Sequence, residues 1–448
     1  MQNKHVEWRF GCNMVVSSQR NISFDSNDVL ARANFTSHDV SLASICESSS
    51  IYPQVLSTYQ RLVQDGITLY VAPHVAYTSR TPSCVAFGVF DGFHVGHQRL
   101  LHKTLESAHA HNLTSAVVTF DPDPSSVLHS QAPASCALDL DACLLTTKQR
   151  LELIARTHVD LIVVVAFTPA LAKLEYQKFL TDVVMKCLAP RIIHVGSDFK
   201  MGYRGQGDIA ALRAFGSLHD IDVFGHGLAV DNEVVISATL IRTLLQNGDI
   251  DLATRYLTRF YSLSGKVIHG RGKGSGFGFA TANILCQANH CVPQPGVYMA
   301  CVVCQNHIYP AAVNVGISPT FSSEIYENEQ GKVQDNLQNN AQNNAQNNAQ
   351  HNSQVSFEKT VQDNTQKNVC DSKRRLLSRQ GFLEAHLLGF TGDIYGQTVD
   401  VIFVKRMRDA RKFESVSALI KVVHDNIKEV KNCLGETGIE VYRYGNRR

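Results

Sequence analysis

Between Ser83 and about residue 228, short apolar runs alternate with stretches whose apolar residues recur at helical spacing. The first unit reads SCVAFGVF, then GHQRLLHKTLESAHAH, then SAVVTF, which predicts strand, helix and strand. Further strands are predicted in DLIVVVAF, RIIHVGSDF and IDVFGHGL, and the stretches KQRLELIART and EYQKFLTDVVMKCL between them are helical in pattern. This alternation predicts an α/β Rossmann-like domain with a parallel sheet, helices on both faces, and any ligand at the carboxyl ends of the strands.

After about Asp249 the pattern changes to short strands separated by glycine and turn residues. They are LSGKVIHG, GVYMACVVCQN, IYPAAVNVG, GFLEAHLLGF and TVDVIFVKRM. Strands at this spacing predict a small antiparallel β-barrel. A C-terminal helix with one apolar stripe should pack on that barrel. The stripe consists of Val416, Leu419, Ile420, Val423, Ile427 and Val430.

The chain of 448 residues exceeds the usual size of one hydrophobic core, so at least two domains are expected. We place the first domain at about 66–250 and the second at about 251–440. Residues 1–65 show no clear period and form an extension of unknown structure. The polar repeat NLQNNAQNNAQNNAQHNSQ cannot bury enough apolar surface to order itself, which predicts a low-complexity Gln/Asn-rich insertion at about 322–379.

Net charge and apolar content indicate which kinds of binding partner the protein can have. A formal net charge of +2 gives no attraction to nucleic acid or to an anionic membrane, and no apolar run approaches the roughly 18 residues of a membrane span. We therefore expect a cytoplasmic protein. Its 12 cysteines lack framework spacing, so no disulfides are expected. The CxxC pair Cys301 and Cys304 lies in a β-branched run and is interpreted as strand, with the two side chains on opposite faces.

The stretch GVFDGFHVGH follows the first apolar strand. Gly88 and Gly92 allow a tight turn, and a helix beginning near Val95 would direct its unpaired amides at an anion. His94 and His97 could then converge on one phosphoryl group and donate hydrogen bonds to it. Zinc would need a further ligand, and no compact Cys/His set accompanies the pair. Composition alone leaves a third interpretation open, in which the histidines only close a turn.

This stretch resembles the HxGH signature of the nucleotidyltransferase superfamily. Its FDG prefix resembles in particular the adenylyltransferase module of bifunctional riboflavin kinase/FAD synthetases. Three more segments agree in the order of that family. They are TFDPDP at 119–124, GSDFKMGYRGQGD at 196–208 and ISATLIR at 236–242.

The resemblance implies that His94 and His97 hold ATP phosphates and stabilise the transition state, with Arg242 as a charged fork on the phosphates. It also implies further contacts to ATP and to flavin. Those to ATP are Gly88, Phe90, Asp91, Gly92, Gly96, Ser237 and Thr239, and those to flavin are Asp198 and Phe199. The sequence departs from the family pattern at Asp123, Ala238 and Leu240.

A second glycine-rich stretch, GKVIHGRGKGSGFGFATANI, spans 265–284. Alone it would be interpreted as a flexible surface loop, because glycine-rich patterns are weak evidence for phosphate binding. It resembles the riboflavin kinase loop that ends in the family's PTAN motif. The segments AAVNVGISPTF, FLEAHLLGFTGDIYG and KRMRDARKF follow in family order. Ala280 stands at the proline position of that motif, and Ser275 stands where an arginine is frequent.

By this resemblance, Thr281 and Asn283 would bind Mg²⁺ and ATP phosphates. Glu384 would be the general base that accepts the proton of the ribityl 5′-hydroxyl. Strand alternation places Glu384 and His386 on one face, away from Leu383. The remaining implied contacts divide between the two substrates. Those to ATP are Gly270, Lys273 and Gly278, and those to flavin are Asn314 and Arg408.

The resemblance implies an enzyme that phosphorylates riboflavin to FMN and then adenylylates FMN to FAD and pyrophosphate, with ATP as co-substrate and Mg²⁺ as cofactor. Two alternatives remain. In one, only the adenylyltransferase is active, because Ala280 and Ser275 impair the kinase. In the other, the protein binds flavin without catalysis and is regulatory. The small molecules riboflavin, FMN and ATP are the expected partners, with no nucleic acid or membrane, and the sequence leaves the oligomeric state open.

Overall fold

The computed structural model describes residues 41–42, 44–45, 54–129, 142–269, 280–287, 289–316, 381–411 and 413–441. The Gln/Asn-rich insertion predicted at about 322–379 lies outside these ranges, as do Gly270, Lys273, Ser275 and Gly278. Two sheets organise the described residues, and each belongs to one part of the chain.

The first sheet has seven strands in the order β1-β2-β5-β4-β3-β6-β7. Strands β3 to β7 are mutually parallel where they pair, and β1 and β2 add an antiparallel hairpin at the β5 edge. The bounds are β1 Gln60–Gln64, β2 Ile67–Val71, β3 Pro82–Phe87, β4 Thr114–Asp121, β5 Leu161–Ala166, β6 Ala189–Gly196 and β7 Asp222–His226. A two-stranded hairpin follows, with β8 Val230–Asp231 and β9 Val234–Val235.

Helices cover both faces of this sheet. They are α1 Val95–Ala110, α2 Pro124–His129, α3 Thr147–Ala155, α4 Tyr176–Phe179, α5 Met185–Cys187 and α6 Ile209–His219, with a π-helical turn, Leu180–Val184, between α4 and α5. Successive strand residues alternate between two apolar clusters. Ile162 packs on the side of α1 and α3, whereas Val163 packs on the side of α4 and α6. The predicted parallel sheet with helices on both faces is therefore confirmed.

The β1–β2 hairpin is an element that the sequence did not reveal. Its first strand precedes the boundary placed at residue 66, and β1 pairs with β2 in the register Gln60 to Val71. All five residues of β1 are exposed, so the strand carries no alternation of apolar and polar residues that could have predicted it.

The second sheet closes into a six-stranded antiparallel barrel, which confirms the predicted small barrel, although the strand Ala282–Cys286 was not among the five predicted. Its order is β12-β15-β10-β11-β14-β13, and pairing of β12 with β13 closes the ring. The bounds are β10 Tyr261–Ile268, β11 Ala282–Cys286, β12 Gly296–Cys304, β13 His307–Val315, β14 Phe382–Leu387 and β15 Thr398–Asp409. A short strand, β16 Ile439–Glu440, pairs with β13 on the outside.

Two helices connect the sheets and a third follows the last barrel strand: α7 Ala238–Gln246, α8 Ile250–Leu257 and α9 Val416–Leu434. Helix α9 packs on β13, as expected, but its buried side chains, Val430 and Leu434, lie near its C-terminal end. Val430 is buried, whereas Leu419, predicted to lie on the packed stripe, is exposed, and Leu434 takes part instead. The stripe extends further toward the C-terminus than its apolar pattern suggested.

The two cysteines of the CxxC pair lie on strand β12, and both are buried. Cys301 belongs to the cluster beneath α9, and Cys304 belongs to the cluster inside the barrel. Their side chains therefore point to opposite faces, as the strand interpretation predicted.

One apolar cluster joins the two domains. It contains barrel residues such as Tyr298 and Phe403 together with Leu144, Ile241 and Leu257 from the first sheet's loops and the connecting helices. The main chain adds hydrogen bonds, because the Cys143 amide donates to the Asn289 carbonyl at 2.6 Å and the Cys291 amide donates to the Cys143 carbonyl at 2.9 Å. Loops of the first sheet therefore rest directly on the barrel.

In the part of the chain described here, no helix combines the length and apolar character needed to cross a membrane.

Removing buried side-chain volume from the sheet should destabilise the protein far more than trimming its surface. Ile162 is fully buried, so Ile162→Ala should cost about 2–5 kcal/mol of unfolding free energy. Leu218 is 82% exposed on α6, and Leu218→Ala should change stability by about 0.5 kcal/mol or less. Chemical denaturation of both variants checks this. Equal losses would show that the sheet is not the core described.

Candidate active sites

The turn between β3 and α1 has an unusual backbone. Phe90 adopts a left-handed conformation with φ 59°, and a short 3₁₀ turn, Asp91–Phe93, follows with Gly92 at φ 74°. A Cβ on Gly92 would meet Leu144 Cδ1 at 2.7 Å, so both the conformation and the space require glycine. This compact turn brings the chain from the carboxyl end of β3 to the first residue of α1 within a few residues.

His94 caps helix α1 through its ring. Its Nδ1 accepts a hydrogen bond from the Gly96 amide at 3.2 Å, so in the neutral ring the proton resides on Nε2. A Cβ on Gly96 would lie 3.1 Å from that same Nδ1, so a side chain there would displace the ring. The geometry leaves His94 Nε2–H as a donor for a ligand.

His97 lies against His94 and Phe90. The two imidazoles stack with centroids 3.8 Å apart, and the Phe90 ring meets His97 edge-on at 5.3 Å. His97 Nδ1 is buried and has no hydrogen-bond partner among the described residues. The two predicted histidines therefore do converge, and one of them keeps a buried ring nitrogen unpaired.

Both histidines are held neutral by their surroundings. Burial and, to a smaller extent, the positive charge of Arg259 lower the pKa of His94 from 6.5 to about 3. Burial also lowers the pKa of His97 to well below its ordinary value, followed by the effects of His94 and Arg259. Such rings donate hydrogen bonds without carrying a charge of their own until an anion binds nearby.

Asp91 and Arg242 form a buried ion pair that secures the turn. Arg242 Nη2 lies 2.6 Å from Asp91 Oδ2, and its Nε donates to the Ala142 carbonyl at 2.6 Å. The Asp91 carboxylate also accepts hydrogen bonds from the amides of Gly92, Leu144 and Leu145. Two of the guanidinium nitrogens of Arg242, which was predicted to bind phosphate, thus donate to other residues of the protein. The Asp91 carboxylate is surrounded by backbone amides and this guanidinium.

The other predicted residues of the first site lie at the same edge of the sheet. Asp198 and Phe199 follow β6, and the Phe199 ring is 6.1 Å from that of Phe87 at the end of β3. Ser237 caps α7 by accepting a hydrogen bond from the Leu240 amide at 3.2 Å, and Thr239 is exposed on the first turn. Because β3 and β6 are parallel neighbours, their carboxyl ends meet, which brings Asp198 and Phe199 beside the histidine turn. Ser237 and Thr239 come near it because α7, the helix Ala238–Gln246, packs against the turn.

Two further polar side chains near this site were not found from the sequence, and one of them, Arg259, contacts the turn. Arg259, which follows α8, is buried and donates to the carbonyls of Gly92 and Phe93. Arg150 on α3 is also buried, donates to the Phe120 carbonyl, and lies 3.9 Å from Asp123. Each arginine is followed in the sequence by an apolar residue, and this was the only sign in the sequence that the side chain could be buried.

The predicted residues of the second site form one row across the barrel wall. Asn283 on β11 lies opposite Glu384 on β14, which lies opposite Asn314 on β13. Val297 on β12 continues the row from Asn314 to Arg408 on β15. Directly opposed residues share a face with Cβ atoms about 5 Å apart, so the side chains of Asn283, Glu384 and Asn314 are immediate neighbours.

This row faces outward from the barrel core. Leu383 and Ala385 are fully buried in the interior cluster, whereas Glu384 is only partly buried. Arg408 sits at the far end of the row, where its Nε lies 3.4 Å from Asn426 Oδ1 and its guanidinium lies 5.7 Å from the Phe413 ring. The structure thus places Glu384 between two amides and Arg408 nearer to α9.

A cavity of about 600 Å³ opens next to this row. Thr281, His386 and Tyr395 line it, and the His269 ring stacks on that of Tyr395 at 3.9 Å. His386 Nδ1 lies 2.8 Å from the Ala280 carbonyl, which can only accept, so this nitrogen carries the proton. The bond fixes the main chain directly before Thr281.

Comparison with known families agrees with the two folds. The model described as FAD synthetase matches residues 77–240, and the model described as riboflavin kinase matches residues 257–368 and 336–434. A bifunctional riboflavin kinase/FMN adenylyltransferase of Buchnera aphidicola is 27% identical over 81% of this chain and 94% of its own length. Proteins of the same name from Bacillus subtilis and Escherichia coli are each 26% identical, over 80% and 75% of this chain and 94% and 88% of their own lengths.

A crystal structure described as a macrolide-efflux protein from Streptococcus pneumoniae has a similar fold. It matches with a TM-score of 0.58 and 23% identity, over 79% of this chain and 99% of its own. At this identity the likeness shows the fold alone.

The histidine turn at the carboxyl edge of a parallel sheet, joined to a six-stranded barrel with an outward glutamate, defines a two-module flavin nucleotide enzyme. The chain belongs to the bifunctional riboflavin kinase/FMN adenylyltransferase family.

Because His94 is buried and neutral in the folded protein, the protein should lose stability as the pH falls. The unfolded chain takes up a proton near pH 6.5, but the folded protein resists it until about pH 3, so stability is lost as the pH falls between these values. His94→Asn keeps an acceptor for the Gly96 amide without a titrating ring. From about pH 7.5 to about pH 5, denaturation should show a smaller loss for this variant than for wild type. The exposed control His109→Asn should follow wild type, and an unchanged slope in His94→Asn would contradict this account.

Proposed function

We propose that this protein makes FAD in two ATP-dependent steps at two separate sites. In the first, riboflavin is phosphorylated to FMN on the barrel, and ADP is released. In the second, FMN is adenylylated at the histidine turn, and pyrophosphate is released. The observation that carries the proposal is the presence of both constellations in one chain, with His94 stacked on His97 and Glu384 set between Asn283 and Asn314.

Adenylyl transfer needs positioned donors and no covalent enzyme intermediate, because the FMN phosphate can attack the α-phosphorus of ATP directly. His94 presents Nε2–H, and His97 lies 3.8 Å away, so both rings can donate to oxygens on which charge develops. The amides at the start of α1 point toward the same place. Asp91 and Arg242 hold this turn in shape, and the remaining guanidinium nitrogen of Arg242 is the part available to phosphate.

At the barrel site, we assign Glu384 as the general base for the ribityl 5′-hydroxyl. Its neighbours Asn283 and Asn314 can orient that hydroxyl and the flavin, and Arg408 lies on the same row. The cavity beside Thr281 provides room for the nucleotide. The hydrogen bond from His386 to the Ala280 carbonyl restrains the position where the family has proline, which favours a working kinase over an impaired one.

The residues at the barrel site fit Mg²⁺. Thr281 and Asn283 offer oxygen atoms, which a hard cation prefers, and Glu384 lies directly opposite Asn283. No group of three or more His, Cys, Asp or Glu residues among those described could enclose a metal by itself. A cation shared between two protein oxygens and ATP phosphates agrees with this donor set. When bound, Mg²⁺ neutralises phosphate charge in both phosphoryl and adenylyl transfer.

Removing His97 should abolish the second step alone. His97→Asn should lower FAD formation from FMN by about 10²- to 10³-fold, because a donor to the transition state is lost. Riboflavin phosphorylation by the same protein should be unchanged. Chromatographic separation of flavins after incubation with ATP measures both rates. His109→Asn, an exposed change on the same helix, serves as the control, and full FAD synthesis by His97→Asn would exclude the proposed role.

Removing Glu384 should abolish the first step alone. Glu384→Gln preserves shape but cannot accept a proton, so FMN formation from riboflavin should fall by about 10²-fold or more. FAD formation from added FMN should remain at the wild-type rate. Glu429→Gln changes a half-exposed glutamate of α9, whose nearest cation is Lys405 at 3.7 Å, and should affect neither step. A Glu384→Gln protein with normal FMN formation would exclude general-base catalysis by this residue.

A further inference from the structure

Arg259 belongs to the segment matched by the riboflavin kinase family, but its side chain enters the other module. It lies two residues after the end of helix α8, is 4% exposed, and reaches the histidine turn. Its Nη2 donates to the Gly92 carbonyl at 2.7 Å, and its Nη1 donates to the carbonyls of Phe93 at 3.3 Å and Leu257 at 3.1 Å. One planar guanidinium thus bridges the turn that ends at His94 and the end of α8.

Gln98 also links the histidine turn to the end of α8. It lies on the first turns of α1, and its Nε2 lies 3.0 Å from the Phe93 carbonyl and 3.2 Å from the Leu257 carbonyl. The same nitrogen is 2.8 Å from the Thr258 hydroxyl. The carbonyls of Phe93 and Leu257 are therefore each shared by Gln98 and Arg259. This arrangement fixes two main-chain oxygens, one in each module, relative to each other.

Burying a positive charge at the position of Arg259 is energetically unfavourable. Among the described residues no carboxylate forms an ion pair with Arg259, and its guanidinium is paired with carbonyl oxygens alone. Burial lowers the pKa of Arg259 to about 9, Arg156 contributes in the same direction, and the Asp91 carboxylate opposes the shift. A buried cation without an ion-pair partner is unfavourable, and a nearby anion offsets part of this cost. The ATP phosphates proposed to bind at His94 and His97 would add a second anion, since Arg259 is close enough to lower the pKa of both histidines.

We propose that Arg259 is a positioning residue for adenylyl transfer: from the first residues of the barrel module, it holds the Gly92–Phe93 carbonyls so that His94 and His97 keep their place. This rests on the proposed function of the histidine turn. Arg259 acts through the main chain and contacts no substrate. The adenylyltransferase site is accordingly completed by the kinase module, whereas the kinase row on β11, β13 and β14 takes nothing from Arg259.

The test uses full-length Arg259→Gln and Arg259→Lys proteins, each measured with FMN and with riboflavin as separate substrates. Arg259→Gln should lower the kcat of FAD formation by about ten- to a hundredfold, because a small displacement of positioned groups has effects of this size. The KM for FMN should change by less than about threefold, since no substrate contact is removed. FMN formation from riboflavin should persist. Arg259→Lys keeps the charge but cannot bridge the carbonyls, and should lie between wild type and Arg259→Gln.

A double-mutant cycle with Gln98→Leu tests the shared carbonyls. Gln98→Leu should also slow FAD formation selectively, and the double variant should lose less than the sum of the two single losses, because both side chains serve the same bonds. Arg191→Gln removes an exposed arginine that pairs with Asp220 and should leave both activities unchanged. If Arg259→Gln fails to fold, Gln98→Leu and Arg259→Lys still decide the question by whether their losses are selective.

The proposal is overturned if the variants lose both activities in parallel, if they lose neither, or if the cycle is additive. Failure of the proposed function has a different signature, because wild-type protein would then form no FAD from FMN. Wild-type synthesis of FAD with a fully active Arg259→Gln protein would reject only the role of Arg259.

Discussion

The buried pair of Asp91 and Arg242 is the interaction on which the adenylyltransferase site depends. The Asp91 carboxylate accepts hydrogen bonds from the amides of Gly92, Leu144 and Leu145, so this one side chain holds the left-handed turn against a loop distant in the sequence. Burial raises the pKa of Asp91, and Arg242 and the Leu144 amide oppose this rise. Removing either partner would leave a buried charge uncompensated, which is among the most destabilising changes a protein can undergo. With the turn fixed, His94 can cap α1 and stack on His97.

The barrel site depends on register rather than on a turn. A shift of one residue in β14 would exchange Glu384 for Leu383 or Ala385 and bury the carboxylate in the apolar interior. Pairing on both sides, with β11 and with β13, prevents this shift. The same pairing brings two amides to the two sides of Glu384. Chemistry at this site therefore follows from how the barrel closes.

Much of the fold followed from the sequence because its strongest signals are periodic. Parallel strands buried on both faces gave continuous apolar runs, and the barrel gave short strands at regular spacing. The hairpin strand β1 was missed because all of its residues are exposed. The stripe on α9 was placed too near its N-terminus, because an apolar pattern does not reveal which turns of a helix a barrel covers. Leu419 is exposed and Leu434 is buried for that reason.

The sites were predictable to different depths. The motif residues His94, His97, Asn283 and Glu384 could be located because they match the motifs of the family, and the structure brings His94 beside His97 and Asn283 opposite Glu384. The hydrogen bonds from Arg242 to Asp91 and to the Ala142 carbonyl could not be predicted from the sequence, since the partners are 100 residues or more apart. The same is true of the hydrogen bonds from Arg259 to the carbonyls of Gly92 and Phe93, which lie more than 160 residues away. Side chains that act through distant main-chain atoms leave no local pattern.

The central claim is that one chain performs two successive reactions at two sites. The most direct measurement is a time course of purified protein with riboflavin, excess ATP and Mg²⁺, with flavins separated by chromatography. The account predicts that FMN appears first and is then converted to FAD. FAD formed only when FMN is supplied, or no new flavin from either substrate, would contradict it.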